Sequence, residues 1–217
     1  MKKLFRVSPD LLGSGVVLVS WNCDGNFLAC VGQNGLLRFW NLNLFSIGCF
    51  WLAIVRIFNR HGETVDEIRL STDAQVLFLE WDFEGECLAV LQEGVGSVPL
   101  WNLSSRSVTN LETNLQDPSF LKWSSTGPQL AIGTLKGNLI IYNKRSRKKI
   151  PILGKHPSKI GVGCWSPSNH LFLSSDDRSA TFSDESGDTL VNKNLPGSPS
   201  QGLLIMLDCL FFYFFVD

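Results

Sequence analysis

The sequence predicts an all-β fold: about four blades of a β-propeller, forming an open arc that stops short of the usual seven-bladed ring. Internal repetition is the first observation behind this reading. Four segments align: VSWNCDGNFLACVGQNGLLRFWN from Val19, LEWDFEGECLAVLQEGVGSVPLWN from Leu79, LKWSSTGPQLAIGTLKGNLIIYN from Leu121 and GCWSPSNHLFLSSDDRSATFSD from Gly163. Their register tryptophans, Trp21, Trp81, Trp123 and Trp165, stand 60, 42 and 42 residues apart. Turn chemistry is the second observation, because apolar runs of strand length alternate with Asn/Asp/Gly/Ser clusters. Composition is the third. Apolar residues make up 44% of the 217 residues and charged residues 18%, which supports a buried core and excludes wholesale disorder.

Each repeat supplies the same elements in order. A first strand carries the register Trp, a polar turn follows, and a short apolar strand leads through a second turn into a third strand closing on an aromatic residue. A fourth strand leads to the next repeat: Thr64–Leu70, Arg106–Leu111, Lys148–Leu153 and Asp188–Leu195. Such a four-stranded unit buries both faces only by stacking on its neighbours, which is the physical reason for repetition. Four unrelated hairpins in a sandwich would not return at two equal intervals. The register tryptophans are expected to pack between blades, each burial contributing about 2–3 kcal/mol. Pro99 falls inside a predicted strand, where it removes a ladder donor.

The first interval exceeds the period by 18 residues, and Leu37-Arg38-Phe39-Trp40-Asn41 is echoed 18 residues later as Val55-Arg56-Ile57-Phe58-Asn59. Removing residues 37–54, or 42–59 instead, restores one uninterrupted blade. The expectation is therefore propeller blades over residues 1–201 with an inserted segment at 37–54. At the other end the register calls for an aromatic near position 207 and a Gly turn near 211. The chain instead runs Leu207, Asp208, Cys209, Leu210, Phe211, so residues 202–217 read as a divergent apolar tail, and the whole as the front part of a longer repeat protein. Met1–Val7 is expected to supply a strand for a final blade.

Chemistry-bearing residues are few. The six cysteines lie at least seven residues apart, with no CxxC or zinc spacing, and are expected as reduced thiols, Cys30 and Cys87 buried. The three histidines, His61, His156 and His170, lack partners at ligand spacing and read as turn or surface residues rather than metal ligands. No GxSxG, HExxH or P-loop occurs. Asp176-Asp177 reads as a backbone-capping turn rather than an acid/base pair. No catalytic residue, cofactor or metal is expected. Phe39–Val55 and Gly202–Val216 are apolar but interrupted by polar residues, and Leu11–Val19 is broken by Gly13-Ser14-Gly15, so neither a membrane span nor a signal peptide is expected.

The polar-turn, LA-containing strand, Gly-turn and aromatic-Asn/Asp order resembles the WD-repeat family, with degenerate repeats. Only the fourth keeps both a Gly-x-His, Gly154-Lys155-His156, and an acidic turn, and its third strand ends Phe182-Ser183-Asp184. The family's His–Ser–Asp–Trp hydrogen-bond set is thus expected to be incomplete in every blade. Three further stretches, Ile57–Gly62, Gly133–Asn143 and Lys149–His156, are similar to the WD-repeat subunits of intraflagellar transport complex A, over residues 1–36 and 55–201. That resemblance implies a pair of propellers followed by a helical solenoid, in a non-enzymatic scaffold for retrograde ciliary transport and ciliary entry of receptors. It implies cytoplasm, cilium and ciliary base as the location. The implied partners are other complex A subunits and ciliary cargo adaptors, with no small-molecule substrate.

Lys plus Arg total 19 and Asp plus Glu 20, a net charge of −1 that argues against a polycationic nucleic-acid binder. The basic residues are nevertheless uneven: Lys144, Arg145, Arg147, Lys148, Lys149, Lys155 and Lys159 fall within sixteen positions. The first five form a candidate partner-binding patch, set against the plainer reading of a solvated hairpin loop. No aromatics interleave them for base stacking. A WD-repeat adaptor unrelated to cilia, or a non-functional truncated product, is the alternative reading of the chain.

Overall fold

The computed structural model describes residues 12, 16–32, 54–72, 74–196, 205–207 and 210–212. Four antiparallel four-stranded sheets make up most of the described part, each a meander of consecutive strands. Blade one comprises β1 (Val17–Trp21), β2 (Phe27–Gly32), β3 (Ile54–Asn59) and β4 (Thr64–Arg69). Blade two comprises β5 (Val76–Trp81), β6 (Cys87–Gln92), β7 (Ser97–Asn102) and β8 (Ser107–Glu112). Blade three comprises β9 (Pro118–Trp123), β10 (Gln129–Thr134), β11 (Leu139–Asn143) and β12 (Lys148–Ile152). Blade four comprises β13 (Ile160–Trp165), β14 (Leu171–Ser175), β15 (Ser179–Ser183) and β16 (Thr189–Asn194). The first strands β1, β5, β9 and β13 lie side by side from blade to blade, so they are innermost, and the fourth strands lie outermost.

Burial follows from this stacking. The second strands β6 and β10 are buried at every residue, because sheet covers them on both faces. They read as unbroken apolar runs for that reason. The outermost strand β16 is exposed at every residue. Three apolar layers separate the blades. Ala29, Val55 and Ile57 meet Leu88 and Trp101 between blades one and two. Leu91 and Val98 meet Leu121, Trp123 and Ile132 between two and three. Ala131, Leu139 and Ile141 meet Ile160, Trp165 and Leu171 between three and four.

The residue after each register Trp is a buried polar group: Asn22, Asp82, Ser124 and Ser166. Asn22 Oδ1 accepts from the backbone of Asn26 and Phe27 at 2.9 and 3.0 Å, and Asp82 Oδ1 from Glu86 and Cys87 at 2.9 Å each. Ser124 Oγ accepts from Thr126 and Gly127, and Ser166 Oγ from His170. The Asn or Asp closing each third strand does the same in the next turn. Asn59, Asn102, Asn143 and Asp184 accept from His61, Ser105, Ser146 and Ser186 respectively. Short acceptor side chains thus fix both tight turns by satisfying amides that the ladders leave free.

Three register tryptophans are packed between blades: Trp81, Trp123 and Trp165 are 6%, 3% and 6% exposed. Trp81 Nε1 donates to the Ser20 carbonyl and Trp165 Nε1 to the Lys122 carbonyl, each at 3.1 Å, reaching the residue before the Trp of the preceding blade. Trp21 departs from the expectation at 42% exposed. Its side of β1 faces away from blade two, and no preceding blade exists among the described residues to cover it.

Of the two echoed sequences, Ile54–Asn59 forms the third strand of blade one, pairing Leu28 with Phe58 and Ala29 with Ile57. Residues 37–53, the bulk of the expected insertion, lie outside the described residues, as does Met1–Val7. In the tail, among the described residues, Ile205–Leu207 (β17) and Leu210–Phe212 (β18) pair only with each other. Pro99 does lie in a strand, and the β6–β7 ladder stops at Ala89–Leu100, one position short of it, while pairing with β8 continues through Pro99–Asn110. Among the described residues no helix is long and apolar enough to cross a membrane.

Candidate functional site

The structure disperses the basic cluster. Lys144 and Arg145 sit in the turn after β11 and reach back to blade two. Lys144 Nζ donates to Asp82 Oδ2 and, at 2.7 Å, to Glu84 Oε2. Arg145 reaches Glu84 Oε1 at 3.2 Å and lies 5.8 Å from the Phe83 ring centre. Burial alone would lower the Lys144 ammonium, but bonds to the two carboxylates hold it above the ordinary lysine range. Those same bonds from Lys144 and Arg145 hold Glu84 below the usual carboxylate range. Both shifts have the sign of one ion pair between blades.

Lys149, on the outer strand, donates to the Glu112 carbonyl at 2.6 Å. Arg147, in the left-handed region at φ 54°, and Lys148 are exposed. Lys155 is turned inward, donating at 2.8 Å to Ser183 Oγ and the Gly187 carbonyl, and burial lowers its pKa. The five candidate residues therefore divide into an inter-blade tie, Lys144 and Arg145, and an exposed basic edge, Arg147, Lys148 and Lys149.

His156 occupies a turn, as expected, but is only 2% exposed. Its Nδ1 lies 2.9 Å from Ser179 Oγ and its Nε2 3.0 Å from Thr181 Oγ1. Ser179 Oγ donates to Asp177 at 2.8 Å. With that proton committed, Ser179 accepts from an Nδ1–H and Thr181 donates to Nε2, which is a neutral imidazole. Burial, outweighing the attraction of Asp177, lowers the His156 pKa. Desolvation of Asp177 is outweighed in turn by the bonds from Ser179, so its carboxyl titrates below the ordinary range. The hydrogen-bond set lacks its Trp, as the sequence indicates, and Thr181 takes the free ring nitrogen instead. In blade two Gln92 serves a similar purpose, its Nε2 donating to the Thr72 and Ala74 carbonyls.

Cys23, Cys30 and Cys87 are free thiols, with Cys30 and Cys87 buried. Desolvation raises Cys30 to about 11 and Cys87 and Cys164 to about 12, so these three are unreactive as nucleophiles at neutral pH. Cys49 and Cys209 lie outside the described residues. No group of three His, Cys, Asp or Glu among the described residues could hold a metal ion.

A cavity of about 580 Å³ opens where the innermost strands of blades two, three and four begin. Leu77, Phe78 and Val162 supply apolar wall, while Glu93, Asp117, Asp176 and Lys159 bring charge. Glu93 and Asp176 each directly follow a second strand, β6 and β14, and Asp117 and Lys159 each directly precede an innermost strand, β9 and β13. The repeat period thus delivers these groups to one end of the arc. The sequence puts Asp176 in a turn and Lys159 in the basic cluster, and neither position announces the cavity. The available signal was the 42-residue spacing of Asp117 and Lys159.

Comparison with known proteins agrees with this architecture. A model described as WDR19 first beta-propeller matches residues 48–205, and one described as WD domain, G-beta repeat, matches residues 12–41. WD repeat-containing protein 19 of Mus musculus is 35% identical over 203 residues, covering 93% of this chain. Its Homo sapiens counterpart is 34% identical over 212 residues, covering 96%. The chain spans 14% of the length of each of these relatives. The C-terminal WD40 domain of Sif2 superposes with a TM-score of 0.60 at 18% identity, over 83% of this chain and 47% of that one, a likeness of fold alone. With its repeats, stacked blades and family match over most of its length, the chain belongs to the WDR19 first β-propeller family.

Proposed function

We propose that this chain acts as a non-catalytic scaffold in intraflagellar transport, binding other complex A subunits and ciliary cargo adaptors in the cytoplasm, at the ciliary base and in the cilium. The observation that carries this reading is the family match over residues 48–205. Its physical support is a rigid stack of blades whose chemistry-bearing side chains are spent on turns and inter-blade ties, leaving loops and outer edges for contact. Arg147, Lys148 and Lys149 offer such an edge to an acidic protein surface. The test is a pull-down of the tagged chain from ciliated cells, with bound proteins identified by mass spectrometry. Recovery of complex A subunits is expected, weakened by charge reversal at Arg147, Lys148 and Lys149. Recovery of chaperones alone would overturn the transport role.

A further inference from the structure

We propose that the cavity at the head of blades two to four binds a short peptide segment presenting an Arg or Lys side chain beside an apolar one. The inference deepens the scaffold reading and rests on it for the choice of a protein ligand. Its volume, about 580 Å³, lies in the range of built ligand pockets and accommodates a few side chains rather than an ion. The wall at Leu77, Phe78 and Val162 suits an apolar side chain, and Phe78 is held in place by an edge-to-face contact with Phe120 of the next blade, 6.2 Å between ring centres.

Charge then selects the second side chain. Glu93, Asp117 and Asp176 come from different turns of three blades and share the lining, among the described residues, with one ammonium, Lys159. Among the described residues none of the three carboxylates is engaged in an ion pair, unlike Glu80, Asp82 and Glu84, which are paired with Lys122 and Lys144. The surplus of negative charge repels acidic peptides and favours a guanidinium or ammonium that brings its own apolar neighbour.

The experiment is a fluorescence-anisotropy titration of the whole chain into labelled Gly-Leu-Arg-Leu-Gly and, separately, Gly-Leu-Glu-Leu-Gly. The Arg peptide is expected to bind about tenfold more tightly, with the difference shrinking as salt is raised. Asp117→Asn combined with Asp176→Asn is expected to remove about tenfold of that affinity. Asn tolerates the positive φ of 55° at position 117, so the turn survives the change. Glu93→Gln, at the third carboxylate of the lining and in an exposed turn, is expected to weaken the Arg peptide in the same direction. Equal binding of the two peptides, absence of saturable binding, or an unchanged affinity in these variants would overturn the proposal. Complex A subunits can be recovered in the pull-down whatever the peptides do, so the two readings fail separately.

Discussion

Trp21 and Trp123 occupy the same place in the repeat and have opposite surroundings, 42% and 3% exposed. Truncation of the buried one leaves a cavity between blades, so Trp123→Ala is expected to lower stability by about 3–5 kcal/mol in chemical denaturation. Trp21→Ala is expected to cost under about 1 kcal/mol, since an exposed ring loses little by removal. Equal losses would show that both rings are buried alike. His156 provides a pH signature at the same scale. Its folded pKa lies below its unfolded one, so the unfolded chain takes up the proton first on acidification. The stability it contributes is present above the unfolded value of about 6.5 and declines as pH falls below it. Asp177 also loses its contribution on acidification, but in the carboxylate range. Between pH 7 and 5 the wild-type denaturation midpoint should therefore fall more steeply than that of His156→Gln. Parallel slopes would remove His156 as the cause.

Strands and turns are decided by the repeat, but the joints between blades are not uniform. The junction of blades two and three is tied by Lys144 to Asp82 and Glu84 and by Lys122 Nζ to Glu80 Oε1 at 2.6 Å. The junction of three and four is tied by hydrogen bonds instead, including Ser119 Oγ to the Ile160 carbonyl at 2.8 Å, Ser124 Oγ to Asn169 Oδ1 at 2.7 Å and Gln129 Nε2 to Glu185 Oε2 at 3.2 Å. Asp82 has no exposed side-chain surface and relies on Lys144 to balance its charge. Lys144→Ala should accordingly destabilise the chain by about 1–3 kcal/mol. A double-mutant cycle with Glu84→Ala separates the exposed part of the network, where a coupling of about 0.2–1 kcal/mol is expected. A loss for Lys144→Ala no larger than that exposed coupling would show the joint to be held by apolar packing alone.

At the scale of the molecule, much of the fold is legible in the sequence. Four blades, their tryptophan register and most strand ends follow from local rules: alternating turn chemistry and apolar runs repeated at a fixed period. The hydrogen-bond set around His156 was half legible, because Gly154-x-His156 and Asp177 stand in the sequence while Thr181 does not announce itself. The basic cluster was the least faithful guide. Neighbours in sequence around Lys144 point to different blades, since a turn sends successive side chains in different directions. Residue order alone dictates which segments can form strands, turns and interior, because those depend on apolar period and on short-range hydrogen bonds. Blade stacking is what leaves Trp21 exposed while its equivalents are buried, makes Lys144 an inter-blade tie, and brings Glu93, Asp117 and Asp176 to one cavity. Burial and charge environment are set by which blade lies alongside, and that contact joins residues some 40 to 60 positions apart, as in Lys144 with Asp82 and Trp165 with Lys122.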